Sequence, residues 1–121
     1  MPTTPLFTKT FDFVSWLLQV TNHFPRSQRF VVTKRLLDAA LDFQELLVDA
    51  NAQRGRARLG MLDRADAELD KVRLYLRLVV RWAWISEGQY FHVSEMVQEI
   101  GRMLGGWIKQ TIGVQDRPVD R

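Results

Sequence analysis

The stretch Glu99-Ile-Gly-Arg-Met-Leu-Gly-Gly-Trp107 decides the fold, because it keeps the period of an α-helix although it contains three glycines. Three glycines cost about 2 to 3 kcal/mol relative to alanine in a helix. At about 100° per residue, the apolar residues of this region nevertheless share one arc of less than half the circumference. They are Val93, Val97, Ile100, Met103, Leu104, Trp107 and Ile108. This pattern predicts a helix from about residue 87 to 109 with one face in a core.

The glycines of this helix fall in two places around its circumference. Gly101 and Gly105 lie beside the apolar arc, where a neighbouring helix of the same bundle can approach the backbone closely. Gly106 lies among polar residues, where no contact within one chain is expected. We therefore predict that Gly106 contacts another protomer.

Proline and glycine divide the rest of the chain into three further helical segments. The predicted helices span about residues 5–22, 26–53 and 61–85, and a loose polar tail follows the fourth helix at 111–121. We expect Ser27 to cap the second helix, the segment 54–60 to reverse the chain, and the capping box Ser86-Glu-Gly-Gln89 to begin the fourth. Four helices with short connections predict an all-α, antiparallel up-down-up-down four-helix bundle.

The composition predicts a single cytoplasmic domain over residues 1–121. This length is enough to bury a core without covalent staples. The chain has no cysteine, which excludes disulfides and cysteine-ligated metals and fits a reducing compartment. It shows neither a signal-peptide pattern nor an apolar run long enough to cross a bilayer, so no membrane partner is predicted.

The third helix carries a second apolar stripe almost opposite its principal one. Its members are Ala67, Leu74, Leu78 and Ile85, with Tyr75 and Trp82 beside them. A monomeric bundle would leave this stripe in water, and a stripe of three or more turns is more than the scattered exposed leucines of ordinary surfaces. We therefore predict a homo-oligomer whose interface includes Leu74, Leu78, Trp82, Ile85 and Gly106.

The sequence gives no sign of an enzyme. Acidic residues do recur on one side of the second helix, and four-helix bundles can hold two metal ions between such carboxylates. That site also needs Glu-x-x-His, whereas the residues three before His23 and His92 are Val20 and Gln89. Neither histidine has a serine or cysteine nucleophile at a recognisable spacing. No catalytic residue, metal or cofactor is predicted.

Salt bridges to the third helix explain the acidic residues better. If the second and third helices are antiparallel, each acid stands level with a base. The expected pairs are Asp38 with Arg77 and Arg81, Asp42 with Arg73 and Arg77, and Glu45 with Lys71.

Arginine supplies thirteen of the seventeen basic residues, and the formal net charge is +3. Arginine grips phosphate bidentately, so this usage favours an anionic partner. The candidate nucleic-acid-binding residues are a row at i, i+4, i+8 (Arg73, Arg77, Arg81), a cluster in the reversing segment (Arg54, Arg56, Arg58), and a pair at the start of the second helix (Arg26, Arg29). The alternative is that Asp66, Asp70 and the acids of the second helix neutralise the row.

Several segments resemble one family. The segments are Phe24-Pro-Arg-Ser-Gln-Arg-Phe30, Leu36-Leu-Asp-Ala-Ala-Leu41, Leu74-Tyr-Leu-Arg-Leu78 and, above all, Glu99-Ile-Gly-Arg-Met-Leu-Gly-Gly-Trp107. They are similar to the accessory variability proteins of diversity-generating retroelements. These proteins share their four-helix bundle with proteins encoded in 23S ribosomal RNA intervening sequences. The resemblance covers residues from about Thr8 to Lys109.

The resemblance implies a basic, pentameric, barrel-like assembly that binds nucleic acid and the reverse transcriptase of the element. Such a protein is not itself the polymerase, but is needed when template RNA is copied into mutated complementary DNA. The extended segment 54–60 and the arginine-bearing tail depart from the family pattern, so no binding residue is carried over from it. The alternative function is an RNA- or ribosome-associated bundle of the intervening-sequence type without a polymerase partner.

Overall fold

The computed structural model describes residues 3–115, which form four α-helices and no strand. The helices are α1 (Thr3–Val20), α2 (Val32–Asn51), α3 (Gly55–Arg81) and α4 (Glu87–Gln115). Two short 3₁₀ turns, Thr21–His23 and Arg26–Gln28, lie between α1 and α2. Each helix packs against the next one in the chain, and α1 also packs against α4, which closes the bundle. The predicted all-α four-helix bundle is confirmed.

The four helices bury one continuous apolar core. The apolar arc of α4 predicted from the sequence lies in it: Val93, Val97, Ile100, Leu104 and Trp107 are buried, and Met103 and Ile108 are half-buried. The other helices contribute chiefly Leu6, Phe13, Val14 and Leu17 from α1, Leu36, Ala39, Ala40, Phe43, Leu46, Leu47 and Ala50 from α2, and Leu62, Ala65, Leu69, Val72, Leu76 and Val79 from α3. Burial of this kind stabilises helices that would be marginal alone.

The second helix begins at Val32, six residues later than predicted. Phe24 precedes a proline and is extended, with φ −72° and ψ 156°, and its buried ring packs against Trp84 at 5.6 Å between centroids. Residues 26–28 follow as a 3₁₀ turn and residues 29–31 as a hydrogen-bonded turn, and none of the six is buried. Ser27 is therefore not the N-cap of α2, because that segment has no core contacts that would hold it helical.

The chain reverses between α2 and α3 over residues 52–54 rather than 54–60. Arg54 is extended, and Gly55 takes the left-handed φ of 55° that glycine adopts without a steric penalty. The helix then continues through Gly60 to the end of α3. A glycine in a helix interior costs only about 1 kcal/mol, so it does not stop a helix that packs well elsewhere.

The third helix ends at Arg81 instead of Ile85, and it ends in a Schellman motif. The amide of Trp84 donates to the carbonyl of Val79 at 2.8 Å, and the amide of Ala83 donates to that of Val80 at 3.0 Å. Ala83 occupies the left-handed position, with φ 60°, where glycine is usual. Because the helical phase is lost here, Ile85 turns inward and is only 3% exposed. Its predicted place in an intermolecular interface is therefore wrong.

The fourth helix begins where the capping box predicts. Gln89 N–H donates to Ser86 Oγ at 3.0 Å, and Ser86 N–H donates to Gln89 Oε1 at 2.8 Å. The helix runs on to Gln115, beyond the predicted end at 109, and buried Thr111 donates to the carbonyl of Trp107 at 2.8 Å. Residues 111–115 are thus helical rather than a loose tail, and the rest of that predicted tail lies outside the described residues.

Candidate nucleic-acid interface

The basic row of Arg73, Arg77 and Arg81 lies on α3 along its boundary with α4. Arg73 is half-buried and forms an ion pair with Asp70 at 2.7 Å between Nη1 and Oδ1. Arg77 and Arg81 are exposed, and neither belongs to an ion pair within residues 3–115. The predicted neutralisation by Asp70 therefore applies to one of the three arginines and leaves two positive charges on the row.

The predicted salt bridges between α2 and the basic row are absent from residues 3–115. Asp38 pairs instead with Lys34 at 2.6 Å, and Lys71 pairs with Glu68 at 3.0 Å. Asp38 and Asp42 do face α3, but across a cleft whose other wall is Glu68, Lys71 and Tyr75. Arg73 follows Lys71 by two residues, or about 200° around the helix, so the basic row points away from α2. The acids of α2 and the basic row are thus at the same level along the bundle but on different sides of α3.

The basic row opens onto a cleft between α3 and α4, which we call the arginine cleft. It has a volume of about 440 Å³ and is lined by Arg73, Arg77 and Arg102, together with Leu76, Tyr90, Ser94, Val97, Gln98 and Gly101. Within the described residues, the lining contains three guanidinium groups and no carboxylate. Arg102 was not among the candidates from the sequence, since on α4 alone it is one polar residue of the outer side. Only the pairing of α3 with α4 brings it beside the row.

Gly101 leaves space for the guanidinium of Arg73. A Cβ atom at residue 101 would stand 2.5 Å from Arg73 Nη2 and 3.8 Å from Leu69 Cδ2. Real Cβ contacts are not that short, so a side chain at residue 101 would move the flexible guanidinium of Arg73 away from the backbone of α4. The predicted close approach at Gly101 is therefore made by a side chain. Gly105, the other glycine beside the apolar arc of α4, has no atom within 4 Å of its Cβ position.

The remaining predicted binding arginines lie at the two ends of the bundle. Arg26 and Arg29 are exposed at the end where α2 begins, and Arg54 and Arg56 are exposed at the opposite end. Arg58 has a structural role: its guanidinium donates to the carbonyls of Ala50 and Asn51, at 3.0 and 3.4 Å. The eight candidate arginines therefore do not form one surface. The guanidinium of Arg58 is hydrogen-bonded to the carbonyls at the end of α2.

The predicted interface residues on α3 are partly accessible. Leu74 is 52% exposed and Trp82 66% exposed, whereas Leu78 is half-buried. We call these three residues the α3 apolar patch. Leu78 and Trp82 also line a cleft of about 320 Å³ with Pro25, Ser27, Gln28, Val32 and Trp84. Gly106 is exposed and has no atom within 4 Å of its Cβ position.

Both histidines are exposed, and His92 packs against Trp16 with ring centroids 5.9 Å apart. Within residues 3–115, no three histidine, aspartate or glutamate side chains are grouped closely enough to hold a metal ion. None of the helices in that range has the length and apolar character needed to cross a membrane.

The order and packing of the helices define the class, a small all-α four-helix-bundle protein. The chain belongs to the bAvd-like family, whose model matches residues 6–111. The family resemblance noted in the sequence is thereby confirmed.

The fold recurs in a solved structure. The crystal structure of a protein of unknown function of the S23 ribosomal protein family, from Bacteroides thetaiotaomicron VPI-5482, superposes with a TM-score of 0.81 at 22% identity. The match covers 90% of this chain and 99% of that one. At this identity the similarity concerns the fold alone. None of the curated proteins shows significant sequence similarity.

Proposed function

We propose that the protein is a non-catalytic accessory protein of a diversity-generating retroelement. It binds nucleic acid and the reverse transcriptase of the element in the cytoplasm, and it supports the mutagenic copying of template RNA into complementary DNA. Membership of the bAvd-like family supports the biological setting. The observation that carries nucleic-acid binding is the basic row, where Arg77 and Arg81 have no carboxylate partner among the described residues.

The row is suited to contacts with a phosphate backbone. Residues at i, i+4 and i+8 follow one another along one side of a helix at intervals of about 6 Å. Phosphates along a strand are spaced on a similar scale, and arginine can bind each one through two donors. Contacts of this kind fix position and supply affinity without reading base sequence. The row therefore fits a protein that handles many sequences, as mutagenic copying requires.

The test is the salt dependence of binding. Replacing Arg77 and Arg81 by glutamine should weaken binding to labelled RNA or DNA and reduce the slope of log K against log salt by about 1.4 to 1.8, because each lost phosphate contact removes about 0.7 to 0.9. The matched control replaces the exposed Arg54 and Arg56 at the far end of the bundle. Equal effects of both pairs would show a diffuse charge effect and reject the row as the binding surface.

Assembly is the second part of the proposal. The protein forms a homo-oligomer, a pentamer by the family resemblance, and the α3 apolar patch and Gly106 contribute to the contacts. The exposure of Leu74 and Trp82 supports this, since apolar side chains of that size on one helix are common at interfaces. Oligomerisation would repeat the basic row and raise its local charge.

The polymerase partner distinguishes this proposal from an RNA- or ribosome-associated protein of the intervening-sequence type. Both share the fold and can bind RNA. The test is copurification with the reverse transcriptase of the same element. Tagged protein should retain the polymerase after nuclease treatment. If only ribosomal RNA or ribosomes were retained, the second function would replace the first.

A further inference from the structure

We propose that the arginine cleft holds an unpaired nucleotide of single-stranded nucleic acid, with its phosphate on the arginines and its base on the apolar floor. This inference rests on the proposed function and deepens it, since it names the form of nucleic acid that the site prefers. The cleft volume of about 440 Å³ is in the range of pockets that bind small organic molecules, roughly 300 to 1,000 Å³.

The phosphate would bind where guanidinium groups converge from two helices. Arg73 and Arg77 come from α3 and Arg102 from α4, and the described lining contains no carboxylate. Two contacts hold the guanidinium of Arg73: Nη1 donates to Asp70 Oδ1 at 2.7 Å, and Nη2 lies against Gly101. A guanidinium held in place loses less entropy on binding than a free one. Arg77 and Arg102 are exposed and can close over the anion from either side.

The base would bind on the floor of the cleft. Leu76 and Val97 are buried core residues that reach the cleft, and the half-buried Tyr90 supplies an aromatic ring. Ser94 and Gln98 on the α4 side can form hydrogen bonds with the base edge. An apolar floor with a few polar groups suits a base, whereas a phosphate alone would gain nothing from it.

An exposed aromatic residue lies on the same side of α4 as two residues of the cleft. Phe91 is 66% exposed, and it precedes Gln98 and Arg102 on α4 by seven and eleven residues, which places it on their side of the helix. Aromatic side chains next to a positively charged groove are typical of single-strand binding, because every base has a face that can stack. A base paired within a duplex is stacked on both faces and cannot use such a surface without being extruded.

Gly101 is a positioning residue of this site. Alanine there would place a Cβ 2.5 Å from Arg73 Nη2 and force the guanidinium away, while favouring the helix. Gly105→Ala is the matched control. It adds the same methyl group to the same side of α4, one helical turn later, where no atom lies within 4 Å of the Cβ position. The two variants should both retain or raise the melting temperature and should differ in binding.

The experiment measures the affinity of the full-length protein for three fluorescent probes by anisotropy at fixed low salt. The probes are an oligothymidylate, an abasic strand with the same number of phosphates, and a duplex of the same length. The oligothymidylate should bind about fivefold or more tightly than the abasic strand, as expected for one stacked base. Phe91→Ala should remove most of that difference. Gly101→Ala should weaken the binding of both single strands, because it displaces a phosphate contact, and Gly105→Ala should leave both affinities unchanged.

Two results would overturn the inference. Equal affinity for the oligothymidylate and the abasic strand would show that the floor holds no base. A Gly101→Ala variant that binds the oligothymidylate like the unaltered protein would show that the placement of Arg73 does not matter. In either case, salt-dependent binding of the duplex through Arg77 and Arg81 would leave the proposed function intact. If none of the three probes bound, the proposed function would fail together with the inference.

Discussion

The guanidinium of Arg58 lies over the indole ring of Trp107, with Cζ 5.4 Å from the ring centroid. The same guanidinium donates hydrogen bonds to the carbonyls of Ala50 and Asn51 at the end of α2. Phe7 packs edge-on against the same indole ring, with 6.0 Å between the ring centroids. One arginine thus joins α2, α3 and α4 at the end of the bundle where α2 turns into α3.

Arg58→Ala should destabilise the protein by about 2 kcal/mol. The loss combines hydrogen bonds from a charged donor to helix-end carbonyls with a cation–π contact. Arg56→Ala is the matched control, because that residue is exposed and should change stability by less than about 0.5 kcal/mol. Urea denaturation followed by circular dichroism measures both. Similar midpoints for the two variants would show that the capping contacts of Arg58 contribute little.

Ala83→Gly should stabilise the protein. Relief of the left-handed conformation contributes about 1 kcal/mol, and the backbone entropy that glycine adds to the unfolded chain offsets part of this gain. Ala83 holds φ 60° at the end of α3, and a left-handed conformation costs a residue with a Cβ about 1 to 2 kcal/mol. The control is Ala67→Gly in the exposed middle of α3, which should destabilise by about 1 kcal/mol. A fall in melting temperature for both variants would mean that Ala83 is not strained.

The features predicted correctly from the sequence are those that depend on one helix. The burial of Val97, Ile100 and Leu104 follows from period alone, and the Ser86–Gln89 capping box needs only its own four residues. The end of α3 was missed because a Schellman motif with alanine in the glycine position has no composition signal.

The parts of the candidate site that were missed depend on two helices together. Arg102 joins the arginine cleft only because α4 packs beside α3. The pattern of basic residues predicts Arg58 as a binding residue, and its acceptors become apparent only when the chain reversal brings α2 beside α3. The number and type of basic residues could be read from the sequence. Only the packing of the helices against one another shows which of these basic residues form structural contacts.

Leu74 and Trp82 should affect assembly, whereas Ile85 should affect the stability of the single chain. Replacing Leu74 and Trp82 by glutamate should shift the protein to smaller species, because charge on the α3 apolar patch opposes burial there. Ile85→Ala should instead lower the unfolding free energy by about 2 to 4 kcal/mol, since it is 3% exposed in the core. Sedimentation velocity and urea denaturation separate the two effects. A double glutamate variant that sediments like the unaltered protein would remove the patch from the interface.

Gly106 gives the most selective test of assembly. Gly106 is exposed and its Cβ position has no atom within 4 Å in the single chain, so a leucine side chain can extend into solvent there and should raise helix propensity. If another protomer packs against this backbone, Gly106→Leu should disrupt the oligomer while the circular dichroism of the helices is kept. Gly60→Leu is the control, because Gly60 is also exposed on a helix with open space around it. Normal sedimentation of both variants would show that no protomer packs against Gly106 in the assembly.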